Sequence, residues 1–225
     1  MPAAPARLDR AAAAKLRMVC GFARRANRGR RHRPGKTGGA CDNARRTRRT
    51  ARRMTARPRL SGLPVIRAMT PVDLPAVLAV QRACYQPEMN EPAAVLHERL
   101  AQAPDFAWIA TVDREIRAYL VGYPSRLGKI TPLGGCFEPS ARPDCLYLHD
   151  LAVAPAAGGR GLGSLLLRHA LARSPGWPAA LVCVQQALPF WQRAGFAERP
   201  LADPAQAARL AGYPGPARYM VRSAG

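Results

Sequence analysis

Residues 146–164 read L-Y-L-H-D-L-A-V-A-P-A-A-G-G-R-G-L-G-S, and their reading decides the fold. Leu146, Leu148, Leu151 and Val153 form an apolar run that stops at Pro155, which predicts a strand. Gly158, Gly159, Gly161 and Gly163 then make a glycine-rich turn. Leu162, Leu165, Leu166, His169, Ala170 and Arg173 follow at helical spacing. A strand, a glycine turn and a helix start present several unpaired backbone N–H groups to one point. Those groups and the positive end of the helix dipole favour an anion, above all a phosphate. Glycine allows close approach and positive φ there. A P-loop would need Gly-Lys-Ser/Thr, and this turn ends Gly-Leu-Gly-Ser, so the phosphate-binding lysine is missing. A dinucleotide fingerprint would need G-x-G-x-x-G and a later acid; here the glycines fall at G-x-G-x-G and no acid precedes Glu198.

Outward from this stretch the chain alternates between strand and helix patterns. V-I-R-A-M at 65–69 reads as a strand, and Thr70-Pro71-Val72-Asp73 as a helix start. That helix carries Leu74, Val77, Leu78 and Gln81 and ends near Tyr85. Pro87 and Pro92 bracket a break before a second helix at 93–103. Strands at 106–112 and 116–123, joined by Asp113-Arg114, read as a hairpin. Residues 124–144 form a long loop with several glycines and prolines, and loops of this length are usually functional or mobile. Beyond the opening stretch come a buried strand at 179–184, a short helix at 187–194 and a last strand at 217–222.

The opening stretch resembles the acyl-CoA loop of the GCN5-related N-acetyltransferase (GNAT) superfamily. The family motif is L-x-V-x-P, a short spacer, then Gln/Arg-x-x-Gly-x-Gly/Ala. Leu151, Val153, Pro155, Gly161 and Gly163 match it in register, while Gly158 stands where the family prefers Gln or Arg. V-Q-Q-A-L-P-F-W-Q-R-A-G-F at 184–196 is similar to a second family motif, shortened before its aromatic pair, through Ala187, Phe190, Gly195 and Phe196. The element order β-α-α-β-β-β-α-β-α-β is also the family's. The resemblance covers about residues 64–222. It implies an α/β fold with a GNAT-type mixed central sheet flanked by helices.

It also implies acetyl-CoA as co-substrate and direct acyl transfer to a primary amine, on a small molecule or a protein. The implied cofactor contacts are Leu151, Ala152, Val153, Gly158, Gly159, Arg160, Gly161, Leu162, Gly163, Ser164, Phe190 and Trp191. Arg160 is expected to compensate for the side chain that Gly158 lacks. The thioester oxygen needs a donor as it becomes anionic, and the family uses a backbone N–H at or near Val153. His149 matches a histidine that removes the amine proton in the arylalkylamine branch, and its intrinsic pKa suits that task. Asp150 is the alternative base. Strand alternation places Tyr147 and His149 on one face and Leu148 and Asp150 on the other. The family's acid is a tyrosine after Phe190; this chain has Trp191, whose indole is no acid at neutral pH. Tyr147, Tyr213 or Tyr219 is the expected substitute, or solvent supplies the proton. Glu88 and Glu91 lie in the first helical break, where the family often contacts substrate, and read as solvated loop charges. A non-catalytic acyl-CoA sensor, suggested by Gly158 and Trp191, is the rival reading.

Charge is distributed unevenly over the 225 residues, whose net charge is +21. Residues 1–59 hold 19 Lys/Arg against 2 acids, and residues 60–225 hold 16 against 12. The first segment is poor in large apolar side chains and reads as a disordered basic arm ahead of the GNAT domain at 60–225. The arm admits an arginine-rich nucleic-acid-binding reading, although no aromatics interleave its arginines. Met54 offers a natural start, so residues 1–53 are expected to be absent from the native protein, which N-terminal sequencing would check. No run of about 20 apolar residues suggests a membrane span. The six cysteines lack any C-x-x-C pair, so neither zinc nor disulfides are expected, and a reducing cytoplasm is the expected compartment. The sequence does not fix the oligomeric state, though exposed edge strands in this fold often pair, which admits a homodimer.

Overall fold

The computed structural model describes residues 61–225 except 86, 88, 89, 185, 186 and 214. The basic arm, the Met54 start and Glu88 therefore lie outside the described residues.

Seven strands form one mixed sheet: β1 (Val65–Ala68), β2 (Ala107–Val112), β3 (Glu115–Ser125), β4 (Cys145–Val153), β5 (Ala179–Val184), β6 (Ala197–Glu198) and β7 (Ala217–Arg222). Their spatial order is β1-β2-β3-β4-β5-β7-β6. Every neighbouring pair is antiparallel except β4 with β5. The helices are α1 (Leu74–Cys84), α2 (Ala93–Gln102), α3 (Leu162–Ala172), α4 (Leu188–Arg193) and α5 (Pro204–Ala211). Leu74, Val77, Val80 and Cys84 of α1, with Leu96 and Leu100 of α2, cover Ile109, Tyr119 and Ala152 on one face of the sheet. On the other face, Leu162, Leu166, Leu167 and Ala170 of α3 pack with Leu120, Leu151 and Leu181.

Two elements were not anticipated, β6 and α5. The start of α5 is set by Asp203, whose carboxylate accepts the Ala205 N–H at 2.8 Å, with Pro204 at the first helical position. The hairpin turn Asp113-Arg114 has positive φ at both residues, 52° and 64°, the backbone that a two-residue hairpin with right-handed strand twist needs. The Asp113 carboxylate accepts the amides of Ser61 and Gly62, fastening the start of the described chain to the hairpin tip.

Two features of β4 position the site. It pairs with β5 only from Leu146↔Ala179 to Leu148↔Leu181, although β4 runs on to Val153 and β5 to Val184. The sheet therefore splays open beyond Leu148. On its other edge β4 pairs with β3, but the register shifts where Val121↔Asp150 gives way to Gly122↔Leu148, leaving His149 as the extra residue of a β-bulge. Gly122 is required there, since a Cβ on it would lie 2.6 Å from the Tyr147 carbonyl oxygen. The bulge corrects the alternation expected from the sequence. His149 and Asp150 reach Glu91 and Tyr85 on the α1/α2 side of the sheet, while Leu148 and Leu151 stay in the core with α3, in the cluster that also holds Tyr147.

The connection between β3 and β4 is pinned along its length. Tyr123 Oη lies 2.6 Å from Thr131 Oγ1, and Tyr213 donates to the Thr131 carbonyl. Tyr219 accepts the Gly128 amide at 2.7 Å. From α5, Gln206 accepts the Ile130 amide at 2.8 Å and Arg209 donates to the Ile130 carbonyl at 3.0 Å.

Candidate active site

The first half of the site is backbone. Ala154 donates its amide to Arg117 on the β3 side at 2.7 Å. Amides alternate edges along a strand, so those of Leu151 and Val153 point the other way, into the splay beside β5. The Val153 carbonyl accepts the Cys84 thiol of α1 at 3.2 Å. A short 3₁₀ turn, Pro155–Ala157, then leads into the glycines. Gly159 and Gly161 have φ of 78° and 77°, and a Cβ on either would meet nothing within 4 Å. They are needed for their conformation, and open space lies over them. Gly158, by contrast, has φ −59° and ψ 146°, which any residue can adopt. The first intrahelical bond of α3 runs from Leu165 N to Gly161 O, so the amides before it point toward the turn.

The side chains around this turn are in place but spare. Leu162 is buried beneath it, and Gly163 sits where a Cβ would touch Phe190 and Val153 at 3.6 Å. Arg160 donates to the Gly62 carbonyl at 3.1 Å. Trp191 is buried against Phe190 and Phe196, and its Nε1 has no partner among the described residues. Ser164 and Phe190 open onto a groove of about 550 Å³ between α3 and α4, lined also by Arg168, Arg193 and Arg222.

The second half of the site is made of buried side chains on the α1/α2 face. Glu91, placed just before α2, forms a two-point ion pair with Arg99 of α2, at 2.5 and 2.7 Å. Arg99 also donates to the Gly135 carbonyl, from Nε at 3.0 Å and Nη2 at 2.7 Å, and its guanidinium lies over the Phe137 ring at 5.3 Å. The Glu91 and Arg99 side chains are only 13% and 2% exposed. The expectation of a solvated loop charge at Glu91 is thus overturned. Burial alone would raise its carboxyl, but His149 and Arg99 outweigh burial and bring it down to about 2. His149 Nε2 faces Glu91 Oε1 at 3.8 Å, Phe137 packs edge-on against the ring, and Nδ1 is buried without a partner among the described residues. Burial first, and then the Arg99 charge, hold the His149 pKa below its ordinary value, leaving a neutral imidazole.

Asp150 is held differently. Its two oxygens accept the hydroxyls of Tyr85 at 2.6 Å and Tyr119 at 2.5 Å. Burial pushes its carboxyl up, against the pull of those two donors. Tyr147 lies buried between the Tyr123 and His149 rings, with its phenol pKa raised well above the ordinary value, first by burial. Sequence reasoning missed Arg99, Phe137, Tyr85 and Tyr119. For Arg99 a signal existed: it falls at helical spacing between Leu96 and Leu100, on the buried face of α2. The other three partner β4 residues across long sequence separations that no local pattern reveals. Among the described residues no group of three His, Cys, Asp or Glu is placed to hold a metal ion, and no helix is long and apolar enough to cross a membrane.

The sequence matches the acetyltransferase (GNAT) family over residues 74–196. No curated protein matches it. Among solved structures it is similar to the loading GNATL domain of CurA from Lyngbya majuscula, at 13% identity and TM-score 0.58, covering 72% of this chain and 98% of that one. It is also similar to the GphF GNAT-like decarboxylase in complex with isobutyryl-CoA, at 18% identity and TM-score 0.56, covering 71% and 98%. A third is the ribosomal-protein-S18-alanine N-acetyltransferase from Escherichia coli, at 16% identity and TM-score 0.51, covering 72% and 94%. At these identities the likeness is one of fold.

Proposed function

The chain belongs to the acetyltransferase (GNAT) family, and on that premise we propose that it is an N-acetyltransferase moving an acetyl group from acetyl-CoA to a primary amine. The observation that carries this is the free edge of β4 running into a turn whose Gly159 and Gly161 hold positive φ under open space. That edge and turn supply donors for an extended ligand ending in phosphates, and so fit acyl-CoA. Residues Leu151–Ser164 hold the pantetheine arm and pyrophosphate mainly through backbone. The three arginines of the α3/α4 groove add positive charge beside Ser164 and Phe190.

In this reading the Val153 amide, aimed into the splay, donates to the thioester oxygen as negative charge develops on it. His149 takes the proton from the acceptor ammonium, so that the neutral amine attacks the thioester carbon. The neutral ring with a bare Nδ1 favours His149 over Asp150, whose oxygens are taken by two tyrosines. The thiolate leaves without a tyrosine acid. Trp191 stands at that position, Tyr213 and Tyr219 hold the β3–β4 connection, and the buried Tyr147 phenol is a weaker acid than usual. Its proton then comes from solvent.

Trp191 and the engaged tyrosines favour one other reading, a non-catalytic acyl-CoA sensor. Calorimetry with acetyl-CoA on the full chain, followed by thiol release against a panel of amines, separates the two. Binding with turnover is the expected result. Binding without turnover across the panel supports the sensor, and no binding overturns both.

A further inference from the structure

We propose that Glu91 is a positioning residue for His149: clamped by Arg99, it sets the imidazole in the Nε2–H tautomer and leaves the Nδ1 lone pair to receive the acceptor's proton. This rests on the reading of His149 as the base.

The clamp leaves Glu91 no freedom. Both its oxygens accept from Arg99, Oε1 also accepts the Gly134 amide at 3.3 Å, and its own amide donates to Gln81 Oε1 at 2.9 Å. Arg99 is fixed in turn by the Gly135 carbonyl and the Phe137 ring. A surface ion pair would hold neither partner in one place. The fixed carboxylate presents Oε1 to His149 Nε2 at 3.8 Å. That is beyond hydrogen-bond length, so the contact is one of charge. A carboxylate facing a ring nitrogen favours a proton on that nitrogen. The opposite tautomer would turn a lone pair toward a negative charge and bury an N–H with no acceptor among the described residues. With the proton on Nε2, the orphan is the Nδ1 lone pair. An incoming ammonium would pair that lone pair as it gives up its proton.

The charged groups facing the ring are Glu91 from the α1–α2 connection, Arg99 from α2 and Asp150 from β4. Tyr147 of β4 is the titratable ring beside it, and Asp150 is covered by Tyr85 and Tyr119. Burial and Arg99 keep the imidazole neutral, while Glu91 and Asp150 oppose them and favour the imidazolium. Proton transfer from R–NH3+ to Nδ1 gives that imidazolium, with its Nε2–H toward Glu91, and frees the amine lone pair to attack.

Glu91→Gln removes the charge and keeps the shape. The ring becomes harder to protonate, so the acid limb of kcat/KM moves down by about one pH unit. The expected fall in kcat is about tenfold, with KM for acetyl-CoA unchanged. Glu91→Asp, which keeps the carboxylate, is expected to return the limb toward its original position. If kcat falls while the acid limb stays fixed, the role is structural and the proposal is overturned. Nitrogen-15 spectroscopy of the unmodified protein, with His149→Gln for assignment, tests the tautomer without turnover and without altering the clamp. Protonated Nε2 and bare Nδ1 are expected, and the reverse pattern overturns the proposal even if the acetyltransferase assay succeeds. If that assay fails, the tautomer measurement still stands by itself.

Discussion

The turn after β4 and the cluster around His149 lie on one strand, yet they are built from opposite materials. The turn works through amides, with two residues at positive φ and a helix start. Its side chains are small, buried beneath it or turned aside, as Arg160 is toward Gly62. The cluster works through side chains drawn from three places: Glu91 and Arg99 around α2, Phe137 from the β3–β4 connection, and His149 from the bulge. A backbone site tolerates changes of side chain and fails when φ is disturbed. A side-chain site fails when any single charge is removed, because the remaining partner is left buried and unpaired. On the proposed reading the first holds the acyl donor and the second moves the proton, so substitutions should separate affinity from turnover.

The largest separation is expected from His149→Ala. Turnover should fall about 10²–10⁴-fold while acetyl-CoA affinity, read by calorimetry, stays unchanged. A comparable loss of affinity would show that the two regions are not independent. Arg99→Leu should destabilise the fold by about 3–5 kcal/mol, read by urea unfolding, because it strands the Glu91 carboxylate. Glu91, lowered by His149 and Arg99, also contributes to the acid limit of stability. Glu91 falls from 4.5 to about 2 in the folded state, so the unfolded chain binds the extra proton, and stability is lost as pH drops from 4.5 toward 2. Asp73, held to about 2 mainly by Arg67, loses its share over a similar window, and Arg99→Leu should leave that share alone. Gly161→Val should cost about 1–3 kcal/mol of backbone strain and weaken acetyl-CoA binding about tenfold, with kcat at saturation unchanged. Since a Cβ there meets open space, Gly161→Asn should recover part of the loss by tolerating positive φ. The smallest effect is expected at Gly158, whose φ of −59° suits any residue. Gly158→Arg should tighten acetyl-CoA binding about threefold by adding one charge-assisted contact.

This division also explains what could be read in advance. The turn is contiguous, so Leu151, Val153, Pro155 and the glycines declare it within a few residues. The sheet and most helices follow from local periodicity, and α5 carried its own signal in Asp203-Pro204 and Gly212 that went unread. His149 could be named from its chemistry and place in the strand. Its neighbours could not, because the bulge that turns it toward Glu91 depends on the register against β3 and on the close approach at Gly122. Glu91 was visible as a charge in a loop, but its burial depends on Arg99 eight residues later. The β3–β4 connection looked loose because its glycines and prolines are local, while the groups that pin it belong to β7 and α5.

The three residue pairs that join β4 to β5 also set how the domain comes apart. On one side of this seam lie β1–β4 with α1 and α2; on the other lie β5, β7 and β6 with α4 and α5, and α3 and the β3–β4 connection held by β7 and α5 bridge them. So short a ladder makes the two blocks natural units of partial opening, and the amides bonded across the β4–β5 ladder should exchange with solvent by its parting before either block unfolds. Any molecule lying in the splay touches both blocks and joins their unfolding into one event. At a hundredfold excess over its dissociation constant it adds about 2.7 kcal/mol to the stability of the whole domain. The width of the seam therefore makes occupancy a measure of cooperativity, readable from exchange protection spreading across strands the ligand does not touch.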